Sequence, residues 1–366
     1  MSYTALYGSF APLFQENSSI FEYESSSDVG DYSPCNQEKS KVFDRDTLPV
    51  FYAILFAAGI IGNALVMIVL LRNKRKLQSN DIFILHLTVA DILLVLTLPF
   101  WAGQAVTGWH FGGILCKIVG SIFKVNFYAG IFLLACISCD RYLSIVHAVQ
   151  MFKKHRTNLI NWTCLAVWLF CILLCIPDAV YFDVVPEYRT NVTECQPSFP
   201  ASSSKAWKLF MSFTFHILGF LLPLAGMVYC YAHIMLTLVK SQGFKKQRAL
   251  QVVIAVVVAF FLCWTPYNMV AFIDTLIMLK VVTISCQSEE NLDYALTITS
   301  GLCYFHCCLN PVLYVFLGAK FKNYFMELLS QASCLCPGLK ERYMKRQPSA
   351  RSSTWSESAE TSLSRF

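Results

Sequence analysis

The chain has 366 residues and a formal net charge of +6, with 56% of its residues apolar and only 14% charged. That charged share is roughly half of what a water-soluble globular protein carries, which excludes an ordinary soluble domain.

Residues 1–47 come first and are acidic. Glu16, Glu22, Glu24, Asp28, Asp31, Glu38, Asp44 and Asp46 stand against Lys39, Lys41 and Arg45. Low hydrophobic content and the Ser25-Ser26-Ser27 run predict a disordered tail that orders on binding. Residues 1–25 lack the basic start and unbroken apolar core of a cleavable signal peptide. Seven apolar runs follow, at 48–71, 82–102, 113–139, 158–177, 207–238, 249–279 and 292–317. Each suits a membrane-spanning helix, which needs about 20 apolar residues. An all-α membrane protein is therefore expected, with a seven-helix transmembrane bundle over 48–317.

Basic residues cluster after the odd runs: Arg72, Lys74, Arg75 and Lys76, then Lys153, Lys154 and Arg156, then Lys240, Lys245, Lys246 and Arg248. Short cytoplasmic loops collect Lys and Arg, so the N-terminus is expected outside and the C-terminus in the cytosol. After the seventh run, Lys320 to Leu329 alternates apolar and polar residues at helical spacing. A short amphipathic eighth helix on the membrane surface is expected over 318–330. Cys334 and Cys336 follow as juxtamembrane candidates for palmitoylation, with free thiols the alternative. Residues 331–366 form a cytosolic tail rich in Ser and Thr, suited to phosphorylation and to a basic partner thereafter.

Within the runs stand polar groups that hydrocarbon tolerates poorly, and each is a functional candidate. Asp91 lies midway along the second run, with Asn63, Asn126 and Asn310 at matching depths on others. A sodium ion among these oxygens is one expectation; an acid satisfied by amide hydrogen bonds is the other. Lys124 is a cation in the third run. Asp140-Arg141-Tyr142 lies about 28 residues, or roughly 42 Å of helix, below the start of that run, at the far membrane boundary. Pro99, Pro177, Pro223, Pro266 and Pro311 interrupt five runs, and each removes a backbone donor and bends its helix. Trp264 precedes Pro266 by two residues.

Of sixteen cysteines, Cys35, Cys116, Cys195 and Cys286 face the oxidising side. Four cysteines allow three connectivities. If the helices close into a ring, Cys35 and Cys286 flank neighbouring first and seventh helices, which favours that pair and leaves Cys116 with Cys195.

Asn63, Asp91, Asp140-Arg141-Tyr142, Trp168, Pro223 and Tyr231, Cys263-Trp264-Thr265-Pro266 and Asn310-Pro311-Val312-Leu313-Tyr314 occur in order, one set per run. Together they resemble rhodopsin-like G-protein-coupled receptors over roughly residues 35–330. Thr97-Leu98-Pro99, the string DRYLSIVHA from Asp140, Ile176-Pro177-Asp178 and His306-Cys307-Cys308-Leu309-Asn310-Pro311 resemble the chemokine receptors within that class.

The resemblance implies a receptor for basic CXC chemokines that couples to a heterotrimeric G protein of the inhibitory class and drives leukocyte chemotaxis. It makes Arg141 the G-protein contact and Asp140 its resting partner. Tyr231 and Tyr314 become tyrosines that rearrange on activation, and Trp264 the switch beneath the ligand. Receptor kinases and arrestin become partners of the tail, and the plasma membrane the location. The ligand's N-terminus is expected among Trp101, Asp178, Asp274, Asp293 and Tyr304, with Asp178 and Asp274 as amine acceptors. Lys124 departs from many relatives, and its partner is left open between Asp178 and Asp274. Tyr23 and Tyr32 lie in the acidic context expected of tyrosine sulfation, and Asn17 and Asn191 match the glycosylation sequon.

Rival classes lack support in the sequence. A retinal protein needs a Schiff-base lysine in the seventh run, and none stands between Leu292 and Leu317. A transporter is expected to show internal repeats. No catalytic cluster or cofactor site beyond the sodium chamber is expected, and no nucleic-acid partner. A scavenging chemokine receptor, which takes up ligand without activating a G protein, commonly alters the Asp-Arg-Tyr triad; here it is intact.

Overall fold

In the computed structural model, residues 38–72, 78–147, 153–187, 192–240 and 248–317 are described. Nine α-helices and one hairpin occupy them: α1 Glu38–Arg72, α2 Ser79–Val95, α3 Leu98–Thr107, α4 Gly113–Ile145, α5 Lys153–Tyr181, β1 Phe182–Glu187, β2 Val192–Pro197, α6 Ser204–Phe213, α7 Leu222–Lys240, α8 Arg248–Met278 and α9 Cys286–Leu317. They build seven helices long and apolar enough to cross a membrane. The second is α2 with α3; the fifth is α6, a π-helical segment Thr214–Leu221, and α7.

The helices close into a ring. α1 packs on α2, α3 and α9, α9 on α8, and α8 on α6, while α4 runs through the middle against α2, α5, α7 and α8. Burial follows from that placement. Along α4, Val119, Phe123, Phe127, Ile131 and Leu134 are nearly sealed from solvent, whereas Leu159, Trp162, Leu169 and Leu173 on α5 are exposed. Exposed leucine and tryptophan on a long helix is the lipid-facing pattern of a bundle in a bilayer.

Proline shapes the irregular backbone. The second run is not one helix, because Pro99 stands in the first turn of α3. The Thr97 hydroxyl donates to the Leu94 carbonyl at 2.6 Å across the break. A missing N–H and a ring clash with the preceding turn produce such breaks. Pro223 likewise follows the π-helical segment, which widens the fifth span by one residue per turn.

The first helix corrects one expected boundary. It starts at Glu38 rather than 48, so the last ten residues assigned to the disordered tail are helical. They are ordered by α9: the Phe43 ring meets Tyr294 edge-on at 5.4 Å, and the Thr297 hydroxyl donates to Asp44 at 3.4 Å. The surface-helix segment 318–330 and the tail 331–366 lie outside the described residues, as do Tyr23, Tyr32, Cys35, Asn17, Asn191, Cys334 and Cys336.

Candidate functional site

At one end of the bundle β1 and β2 pair antiparallel, with Val184 opposite Cys195. The Cys116–Cys195 disulfide, spanning 79 residues with 5.5 Å between Cα atoms, pins this hairpin to the start of α4. Polar contacts reinforce it. The Trp109 amide donates to the Thr193 carbonyl at 2.6 Å, the Thr193 hydroxyl to the Trp109 carbonyl at 2.7 Å, and the Cys195 amide to the Gln104 side chain at 2.9 Å. Gly108 makes the close approach possible: its φ of +85° suits glycine, and a Cβ there would meet the Thr193 carbonyl oxygen at 2.8 Å. Lys41 of α1 reaches Glu194 at 3.7 Å. Cys286 is also disulfide-bonded, while its expected partner Cys35 lies outside the described residues.

Each of the expected ligand residues has its own neighbours. Trp101 is buried against Trp109, with centroids 5.9 Å apart. Tyr304 is buried between Phe123 at 5.3 Å and Tyr52 at 5.4 Å. Asp293 is buried on α9. Asp274 is half-buried on α8, within charge range of Lys208. Asp178 is closed off: the Lys124 ammonium donates to its Oδ1 at 2.7 Å, with both side chains almost fully buried. Breaking such a pair by removing one partner costs about 3–5 kcal/mol, because it strands the other charge.

An aromatic floor lies deeper. Trp264 is fully buried, with ring centroids 4.7 Å from Phe127, 5.3 Å from Phe123, 5.8 Å from Phe260 and 5.8 Å from His306. Phe127 in turn packs at 4.3 Å on Phe215, inside the π-helical segment. Displacing Trp264 therefore requires side chains on α4, the fifth span and α9 to give way together. Pro266, two residues on, lies inside α8 and removes the backbone bond that would stiffen this point.

Next comes the buried acid. Asp91 accepts from Asn310 Nδ2 at 2.8 Å and Asn126 Nδ2 at 3.3 Å, and His306 Nε2 stands 3.6 Å from its Oδ1. The expected chamber needs one correction: Asn63 does not turn to Asp91. Its amide donates to the Gly59 and Cys307 carbonyls, at 3.0 Å each, and clamps α1 to α9. His306 was not foreseen as a partner of the acid. Its signal lay in the sequence, since His306 and Asn310 are four apart and share a helix face. Asn126 Oδ1 is buried without a hydrogen-bond partner among the described residues. A hard cation prefers oxygen ligands, which this oxygen and the carboxylate would offer, while both Asp91 oxygens accept from amides, the other arrangement expected.

At the end of α4 away from the hairpin, Arg141 Nη2 pairs with Asp140 Oδ2 at 2.6 Å. One turn earlier, the Ser138 and Tyr231 hydroxyls are hydrogen-bonded at 2.9 Å, joining α4 to α7. Tyr231 and Tyr142 pack on the buried Ile234, Leu238 and Leu250. Tyr314 is buried on α9, and Pro311 packs closely on α1, where a Cβ added at Gly62 would lie 3.1 Å away.

This arrangement has known counterparts. Residues 62–314 match the family described as 7 transmembrane receptor (rhodopsin family). The C-X-C chemokine receptor type 3 of Homo sapiens is 46% identical over 358 residues, covering 97% of this chain and 95% of that one. The type 3 receptor of Rattus norvegicus is 45% identical over 353 residues, covering 96% and 94%. The C-X-C chemokine receptor type 1 of Oryctolagus cuniculus is 38% identical over 300 residues, covering 82% and 83%. The chain belongs to the chemokine receptors.

As a member of that family the receptor is a multi-pass plasma-membrane protein of the rhodopsin-like class, similar to type 3 receptors, and not an enzyme. The chemokine-receptor string from His306 to Pro311 supplies two of the groups around Asp91, and Gly59 and Cys307 supply the carbonyls that hold Asn63.

Proposed function

We propose that the receptor takes basic CXC chemokines at its hairpin end, exposed outside the cell, and activates a heterotrimeric G protein of the inhibitory class at the opposite end, directing leukocyte migration. The observation that carries this reading is the closed Asp140–Arg141 pair beside the Ser138–Tyr231 bond. An intact triad with its arginine held by the adjacent acid is a resting switch that a G protein can open. The acidic segment 1–47 complements a basic ligand and raises its association rate. Sulfation of Tyr23 and Tyr32 adds negative charge there, and Asn17 and Asn191 carry glycans. Sodium at Asp91 and Asn126, near Asn310, favours the resting bundle. Palmitate on Cys334 and Cys336 holds the surface helix to the bilayer, and receptor kinases phosphorylate the tail for arrestin.

A scavenging receptor is the second reading, favoured only if ligand uptake occurs without signalling. The test is inhibition of cyclic AMP in cells expressing the receptor, exposed to a panel of CXC chemokines with and without pertussis toxin. Toxin-sensitive inhibition supports signalling through the inhibitory class. Internalisation of a labelled chemokine with no cyclic AMP response overturns it in favour of scavenging.

A further inference from the structure

The Lys124–Asp178 pair sits between the aromatic floor and the hairpin. Phe123, next to Lys124, belongs to the floor through Trp264, Tyr267 and Tyr304. Asp178 lies one turn before Phe182, whose ring packs onto Gly120, one turn from Lys124. One turn before Gly120, nearer the start of α4, Lys117 donates to the Val180 carbonyl at 2.7 Å, so two lysines of α4 fasten the end of α5. Among the described residues, only the deeper one meets a carboxylate.

We propose that Lys124 is a tethered ammonium occupying an amine subsite at Asp178, and so determines specificity: it bars cationic ligand groups from that carboxylate and leaves their recognition to acids on α8 and α9. The proposal rests on the reading that ligand enters at the hairpin end. Chemistry supports it in three ways. A primary ammonium on a four-carbon stem is what an amine-bearing ligand would present to the same oxygen. A ligand amine that displaced Lys124 would break one buried ion pair to make another, so nothing is gained by the exchange. The pair is also nearly dry, which holds it closed against screening by salt.

The test uses purified full-length receptor, wild type against Lys124→Met, Asp178→Asn and Lys124→Met/Asp178→Asn. The probe is phenethylammonium, an aromatic body bearing a primary ammonium, and the readout is the thermal unfolding temperature. Asp178→Asn takes the carboxylate from the lysine and unfolds at lower temperature, and the double variant recovers because neither charge remains. Lys124→Met alone strands the carboxylate and is also lowered, but phenethylammonium restores it at a concentration at least tenfold below any that moves wild type or the double variant. Equal responses of wild type and Lys124→Met overturn the proposal, because Asp178 would then be open with lysine present. Absence of rescue in Lys124→Met overturns it too, since the pair would be a strut and no subsite. Neither readout involves a chemokine or a G protein, so its failure is distinct from failure of the signalling reading.

Discussion

Replacing Gly120 by alanine places a methyl group 2.4 Å from Cδ1, 2.5 Å from Cε1 and 2.6 Å from Cγ of Phe182. Ordinary contact begins near 3.4 Å, so the ring must retreat by about 1 Å. It has nowhere cheap to go. Phe182 is fully buried and opens β1, whose partner strand is fixed by the Cys116–Cys195 bond. Overpacking of this kind costs about 1–3 kcal/mol, opposed by about 1 kcal/mol from the better helix propensity of alanine. A net loss of up to about 2 kcal/mol lowers the unfolding temperature by up to about 8 °C in a domain of this size. Unfolding can be followed with a thiol-reactive fluorophore, because Cys164, Cys171, Cys303 and Cys307 are sealed in the native bundle. Gly226→Ala is the internal control: it lies in α7, and a Cβ there meets nothing within 4 Å, so it holds or raises the unfolding temperature. Finding Gly120→Ala as stable as Gly226→Ala would refute the packing of hairpin on α4 described above.

Two further substitutions test the interior network. Asp91→Asn offers one amide donor to a site already facing the donors of Asn126 and Asn310; wild-type receptor is expected to unfold at higher temperature in sodium than in potassium buffer and the variant equally in both, and a persistent sodium effect would count against the site. Tyr231→Phe deletes the hydrogen bond between the Tyr231 and Ser138 hydroxyls, worth about 1 kcal/mol or roughly fivefold in an equilibrium. Basal nucleotide exchange should shift by about that factor, Ser138→Ala should shift it equally, and the double variant no further; additive effects would mean the two residues act separately.

Much of the fold was readable because each span is a long apolar run with its own polar landmark. What escaped notice depends on groups distant in sequence. Residues 38–47 read as a polar tail, yet Phe43 and Asp44 meet Tyr294 and Thr297 some 250 residues on, and Lys41 meets Glu194. Pro99 and Pro223 announced bends, yet a proline does not say whether its helix will break outright or widen into a π turn. Asn126 and Asn310 were legible as partners of Asp91 by depth alone. Asn63 matched that depth and turned instead to carbonyls, because depth carries no rotation about the helix axis. His306 shows the converse, since its i, i+4 spacing from Asn310 held the information. For Lys124 the two acids at comparable height were equivalent in sequence, and only the 2.7 Å contact separates Asp178 from Asp274.

Signalling turns on whether the closed triad is a switch that a G protein opens. The most direct measurement is nucleotide exchange on a purified inhibitory-class heterotrimer by receptor in lipid nanodiscs, with CXC chemokine added, for wild type and Arg141→Ala. Chemokine-stimulated exchange in wild type, abolished in Arg141→Ala with chemokine binding retained, is the predicted result. Chemokine binding to wild type with no exchange above the receptor-free rate would contradict it.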